Sequence, residues 1–118
     1  MKKISVLFVC LGNICRSPAA EAIFKSLIEK RGLTDGFIVD SAVTGSLHIG
    51  KKADSRMRNA AERRDINILS RARQIKSKDF DQFNYILAMD DANFRNIQEL
   101  KNRTLSADFA SIKKNTRF

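Results

Sequence analysis

The chain has 118 residues, 43% of them hydrophobic, and a formal charge of +9, enough apolar material to bury the core of one domain without disulfide or metal staples. No apolar run approaches the roughly 18 residues that a membrane span requires. The two cysteines, Cys10 and Cys15, are too few for a disulfide scaffold and lack zinc-ligand spacing, so no structural metal is expected and the thiols read as reduced, in a cytoplasmic protein.

The opening MKKISVLFVC imitates a signal peptide only faintly, because its apolar run is short and no small-residue cleavage site follows. Residues 4–9 read instead as a continuous apolar strand, the pattern of a parallel sheet covered on both faces. From Ser17 the period changes to that of a helix. Ala20, Ile23, Phe24, Leu27 and Ile28 form its predicted apolar stripe, Ser17 its N-cap, Pro18 its first position, and Gly32 its end after Lys30 and Arg31.

Residues 37–42 read as a second strand entering a loop over 43–50. A second, basic helix is predicted around Ala53, Met57, Ala60 and Ala61, and a short turn at Asp79 and Phe80. Residues 85–89 give a third strand. Asp90 or Asp91 then caps a helix to about Leu100, with Ala92, Phe94 and Ile97 partly buried, and residues 104–109 suggest a fourth strand. The order βαβαβαβ implies one three-layer α/β/α domain over residues 1–118, built on a four-stranded parallel sheet with right-handed crossovers. Residues 51–78 carry ten Lys/Arg against three Asp/Glu, seven of the nine net charges. With no nucleic-acid motif beside it, this segment reads as a solvated basic face, and no nucleic-acid partner is expected.

The stretch VCLGNICRSP, residues 9–18, joins the first strand to the first helix. Ligands of open α/β sheets bind beyond the carboxyl ends of strands. There the loop amides of Leu11, Gly12, Asn13, Ile14 and Cys15 can converge as an anion nest at the positive end of a helix. It is not a nucleotide P-loop, since the G-K-[ST] ending is absent. A lone cysteine at a strand end is usually a small buried hydrophobe. Here Gly, Asn and Ser lie within and beside a Cys-x5-Arg spacing between strand and capped helix, which favours a thiolate nucleophile at Cys10 and a planar phosphate clamp at Arg16. Attack by Cys10 on phosphorus would give a cysteinyl-phosphate, with the Ser17 hydroxyl able to donate to the thiolate.

The stretch VCLGNICRSPAAEAIF resembles the N-terminal signature of the low-molecular-weight protein tyrosine phosphatases. The likeness continues through Asp40, Ser41 and Ala42, His48 to Gly50, Ala53 to Arg56, Arg71 to Ile75, Asp79 and Phe80, and Tyr85 to Asp90. The resemblance implies a flavodoxin-like, phosphatase I type fold, Cys10 as nucleophile and Arg16 as clamp, Asn13 and Ser41 bracing the loop, Ser17 supporting the thiolate, and Cys15 as a second cysteine able to pair with the nucleophile under oxidants. Leu47 stands where the family carries a substrate-facing side chain. His48 reads as a structural hydrogen-bonding residue rather than a base, and Asp90 as a cap or loop brace. Val43 stands where the family usually has glycine, and would be strained if that position needs φ > 0.

The resemblance also implies a late Asp-Pro-aromatic loop, supplying the general acid, and a last helix. The only proline here is Pro18, so no general acid of that kind is expected, activity is expected to be impaired, and the last helix is expected to be lacking. The loss would uncover apolar surface on Ile4, Val6, Phe8 and the third strand, which predicts self-association, as a homodimer, or a partly loose chain, unless the tail from Ala107 to Phe118 folds back and caps the face with Phe109, Ile112 and Phe118. The implied substrate is a phosphotyrosine protein or small phosphomonoester, with inorganic phosphate as product and inhibitor, no cofactor, no metal and no membrane partner. The alternatives are a non-catalytic phosphate- or phosphotyrosine-binding module and arsenate reductase chemistry; the latter is disfavoured because no cysteine lies beyond Cys15.

Overall fold

The computed structural model describes residues 3–11, 16–45 and 49–103. Its order is β1 (Ile4–Cys10), α1 (Arg16–Lys30), a single 3-10 turn (Thr34–Gly36), β2 (Phe37–Val43), α2 (Ser55–Glu62), α3 (Ser77–Gln82), β3 (Tyr85–Ala88) and α4 (Asp91–Arg103). The strands form one parallel sheet in the order β2-β1-β3, with Val9 opposite both Ala42 and Ala88. Three strands lie among the described residues. The predicted fourth strand, at 104–109, and the tail from Ala107 to Phe118 lie outside them.

β1 is the centre of the sheet because its run Val6 to Cys10 is buried on both faces. Leu7 and Val9 pack with Ile75, Phe80, Phe83, Ile86 and Ile97, beneath α3 and α4. Val6, Phe8 and Cys10 pack on the other side against Ala20 and Phe24 of α1, where Phe24 stands edge-on to both Phe8 and Phe37. The bare face expected on Ile4, Val6, Phe8 and the third strand is therefore corrected: Val6, Phe8, Ile86, Ala88 and Met89 are all buried, while the strand starts Ile4 and Tyr85 are exposed. α1 covers Val6 and Phe8 on one face, and on the other α3, a helix where a turn was expected at Asp79 and Phe80, packs Phe80 against Ile86 and Ala88.

Two further expectations change for related reasons. α1 begins at Arg16, so Ser17 is a buried helical residue rather than the N-cap. Its buried residues Ser17, Glu21 and Ile28 join the packed Ala20 and Phe24 in one stripe, leaving Ile23 and Leu27 half exposed. Two polar residues within the stripe rotate the true face away from the all-apolar reading. In α4, Asn93 takes the buried place expected for Ala92, which is exposed. Gly32 does end α1: it has φ 68°, its N–H donates to Glu29 O, and the Leu33 N–H donates to Ile28 O, a Schellman stop that needs a left-handed residue. Val43 is not strained, being buried in β2; among the described residues Asp65 is the only non-glycine with positive φ.

The outer edge of β2 is paired at its carboxyl end, at Val43, by an extended segment. Val43 N–H donates to Arg73 O, and Ile75 N–H to Val43 O. Arg73 pins this segment, bonding Asp40 at 3.0 Å and gripping both oxygens of Asp79 at 3.0 and 3.1 Å. Burial works against its charge, but the Asp79 bond and the two carboxylate charges outweigh it and hold its pKa above the ordinary arginine value. Asp79, itself buried, also accepts from the Lys76 N–H at the start of α3. Arg73→Ala would strand the Asp79 carboxylate. We expect a loss of about 2–3 kcal/mol in urea unfolding, below the roughly 3–5 kcal/mol of a fully buried pair because Arg73 keeps some water contact. Asp40→Ala should cost under about 1 kcal/mol, since Asp40 stays wet. Equal losses for the two variants would refute this ranking.

Candidate active site

Strand β1 stops abruptly at its carboxyl end, and every polar backbone group there has a partner. Met89 N–H continues the β3 ladder onto Val9 O at 3.2 Å, Thr44 N–H donates to Cys10 O at 2.9 Å, and Gly45 N–H donates to Leu11 O at 2.5 Å. The last approach requires glycine: a Cβ on Gly45 would lie 2.7 Å from Leu11 O. The Thr44 hydroxyl also donates to Leu11 O. Cys10 thus sits at a braced strand end facing the start of α1.

Cys10 is buried. Its Sγ lies 3.1 Å from Ser17 Oγ, and the Ser17 hydroxyl lies 3.3 Å from Ala42 O. A hydroxyl has one proton to give. When the thiol carries its own proton, Ser17 can accept from sulfur and donate to Ala42 O; when sulfur is ionised, the Ser17 proton can turn to it. Arg16 opens α1, half exposed, with one terminal nitrogen 3.2 Å from Asp90 Oδ2. Asp90 Oδ1 accepts from Asn93 N–H at 2.8 Å, which makes Asp90 the N-cap of α4. The bond from the Asn93 N–H, followed by the bond and charge of Arg16, holds the Asp90 carboxyl below the usual aspartate range.

Of the residues singled out in the sequence, Cys10, Leu11, Arg16, Ser17 and Ser41 are described. The first four cluster at the turn, with the Leu11 side chain exposed. Ser41 lies on β2 opposite Phe8, and its hydroxyl donates to Glu21 Oε1 at 2.6 Å. Gly12, Asn13, Ile14, Cys15, Leu47 and His48 lie outside the described residues. Two residues escaped the sequence reading. Glu21, buried in α1, joins Ser41 to Lys25, whose ammonium is 2.7 Å away. Asn93 is wholly buried beside Val9 and Leu11. Their common signal is a polar side chain on the core-facing side of a helix.

A cleft of about 460 Å³ lies beside Leu11 and Thr44 and runs along Asn96, Leu100 and Arg103 of α4. It does not include Cys10 or Arg16, so the chemistry is assigned by the side-chain constellation and not by this cavity. No group of three or more His, Cys, Asp or Glu among the described residues could hold a metal ion, and no helix there is long and apolar enough to cross a membrane.

Residues 5–114 match the family described as "Low molecular weight phosphotyrosine protein phosphatase". A protein of that name from Schizosaccharomyces pombe is 48% identical over 101 residues, covering 85% of this chain and 65% of the relative; the chain thus spans just under two thirds of that relative's length. Among solved structures, YfkJ from Bacillus subtilis superposes with a TM-score of 0.87 at 41% identity, covering 99% of this chain and 70% of that one. A protein tyrosine phosphatase from Entamoeba histolytica, with Hepes in its active site, gives 0.84 at 41% identity, covering 98% and 69%. On this match of sequence and fold, the chain belongs to the low molecular weight phosphotyrosine protein phosphatase family.

Proposed function

We propose that this chain hydrolyses phosphomonoesters, phosphotyrosine among them, through a cysteinyl-phosphate on Cys10. The observation that carries the proposal is the placement of Cys10 Sγ against Ser17 Oγ at the carboxyl end of β1, with Arg16 at the start of α1. In the first step the Cys10 thiolate attacks phosphorus, an S–P bond forms, and the ester P–O bond breaks with its electron pair going to the leaving oxygen. In the second step water attacks phosphorus, the S–P bond breaks, and inorganic phosphate leaves as the thiolate returns. Arg16 spreads the charge of the transferring group, and the Ser17 hydroxyl donates to sulfur whenever sulfur is anionic.

Asp90 supports this reading by orienting the clamp. Its contact uses one terminal nitrogen of Arg16, and a guanidinium has five N–H donors in a rigid fork, so others remain for phosphate oxygens. Relatives bear phosphotyrosine phosphatase names, which supports an aryl phosphate substrate for the same constellation.

Nitrophenyl phosphate is the substrate of choice for a test, because its leaving group departs as a stabilised anion with little need of a proton donor. Added phosphate should shift the amides of residues 11–16 first in an NMR titration. Turnover should vanish in Cys10→Ser and fall nearly as far in Arg16→Ala, since nucleophile and clamp act as a unit. Turnover that survives Cys10→Ser would defeat the mechanism, and stoichiometric phosphate binding without any turnover would favour a binding module.

Asp90 gives a second test with a definite sign. A carboxyl with a depressed folded pKa contributes stability that is fully present above its unfolded pKa of about 3.9 and is lost as pH falls through the lower folded value. Asp90→Asn retains an oxygen for the cap and removes the charge. Its urea midpoint should lie below that of the wild type at pH 7, and the gap should close as pH falls from about 4 through the lower folded value. A gap that stays constant through that range would show that the Asp90 charge contributes nothing.

A further inference from the structure

Asn93 is wholly buried, yet it carries an amide with one donor and one acceptor side to satisfy. With its oxygen turned to β1 the amide accepts from the Leu11 N–H at 2.9 Å, and its nitrogen donates to Val9 O at 3.3 Å. That orientation satisfies both partners, and the reverse satisfies neither.

The two groups Asn93 grips are not arbitrary. Val9 C=O belongs to the peptide unit that enters Cys10, and Leu11 N–H to the peptide unit that leaves it. One side chain therefore holds both planes that flank the Cys10 Cα, and so both of its backbone dihedrals. The grip is needed because the extended geometry fails at this point. In a strand the N–H and C=O of one residue point to the same neighbour. At Leu11 the N–H turns to Asn93, on the β3 side, while the C=O turns to Gly45 and Thr44 on the β2 side. The β3 ladder has already ended with Met89 N–H on Val9 O, so it is Asn93 that supplies the Leu11 N–H with an acceptor.

Resting on the assignment of Cys10 as nucleophile, we infer that Asn93 is a positioning residue: its amide sets the backbone of Cys10 and thereby the direction in which Sγ meets phosphorus. It touches no substrate. Because it orients the nucleophile rather than the anion-binding amides, its removal acts on the chemical step more than on binding.

Two variants of the full chain separate this role from packing. Asn93→Leu keeps the branched shape and removes both hydrogen bonds. Asn93→Asp keeps an acceptor for Leu11 and lacks the donor to Val9 while ionised; once protonated, its carboxylic acid regains one donor and one acceptor. The charged groups nearest by connection, Asp90 and its partner Arg16, are unchanged in both. With nitrophenyl phosphate at a temperature well below unfolding, Asn93→Leu should lower kcat by about 100-fold, the cost of misplacing reacting atoms by roughly 1 Å, while KM and phosphate affinity stay within about threefold. Asn93→Asp should regain kcat relative to wild type as pH falls through its carboxyl range, and Asn93→Leu should not.

Hydrogen exchange of the Leu11 amide supplies a readout independent of turnover. It should be slow in the wild type and at least about tenfold faster in Asn93→Leu, as a lost local hydrogen bond demands. Unchanged Leu11 exchange, or a kcat within about threefold of wild type in a destabilised Asn93→Leu, would overturn the inference. A wild type without Cys10-dependent turnover would instead overturn the assignment of Cys10, and Leu11 exchange would still decide whether Asn93 grips the strand end.

Discussion

A fully buried parallel strand that ends beside a reactive site must leave none of its backbone groups orphaned, and that demand at the end of β1 organises the rest of the molecule. The burial of β1 on both faces excludes water as a partner, so each terminal N–H and C=O needs a protein group. Thr44 and Gly45 meet it from the β2 side, and Met89 and Asn93 from the β3 side. The loops after β2 and β3 are thus committed to the end of β1 before any ligand arrives. This is the physical content of preorganisation here: the groups around Cys10 are held by bonds that already exist.

The same demand explains why polar residues occupy core-facing positions on two helices. Ser17 and Glu21 lie on the face of α1 that meets the sheet, one reaching Cys10 and Ala42 and the other Ser41. Asn93 does the equivalent for α4. Each is buried and each is bonded, so the burial of a polar atom is offset by its partner. An apolar residue in any of these places would pack as well and would leave a strand group unmatched.

These positions also mark the limit of what a sequence discloses. β1 was legible because a doubly buried parallel strand needs an uninterrupted apolar run, and the end of α1 because Gly32 suits a left-handed stop. Asp90 was legible as a cap because it directly precedes a helical pattern. Cys10, Arg16 and Ser17 were legible as a constellation through their spacing between strand and helix. The face of α1 was misread because Ile23 and Leu27 outvote Ser17 and Glu21 on hydrophobicity alone. Phe80 looked like a turn residue because the six residues of α3 are too few to display a period, and its stabilising contact, Arg73 on Asp79, joins it to a separate segment rather than repeating within the helix. Asn93 gave only the cue of a polar residue at a core-facing helix position; its reason for being buried lies more than eighty residues away in the chain, on Val9 and Leu11.

The distribution of positive charge follows from the same economy of partners. Of the basic residues in 51–78, Arg58 donates to Ala53 O, Arg71 to Gly50 O, and Arg73 closes the β2 edge, while Lys51, Lys52, Arg63 and Arg64 face water. Arg16 belongs to the first kind and yet stays half exposed, because Asp90 holds only one of its nitrogens. Asp90 and Asn93 sit in a single turn at the start of α4, and they reach opposite ends of the turn that joins β1 to α1: Asn93 at Leu11, Asp90 at Arg16. Fixing the two ends of a loop to one rigid element removes much of its closure entropy in advance. Under the proposed function, that entropy need not be lost again when a phosphate group binds. The first turn of α4 therefore fixes the separation of the Cys10 strand end and Arg16, the proposed nucleophile and clamp, without itself entering the site.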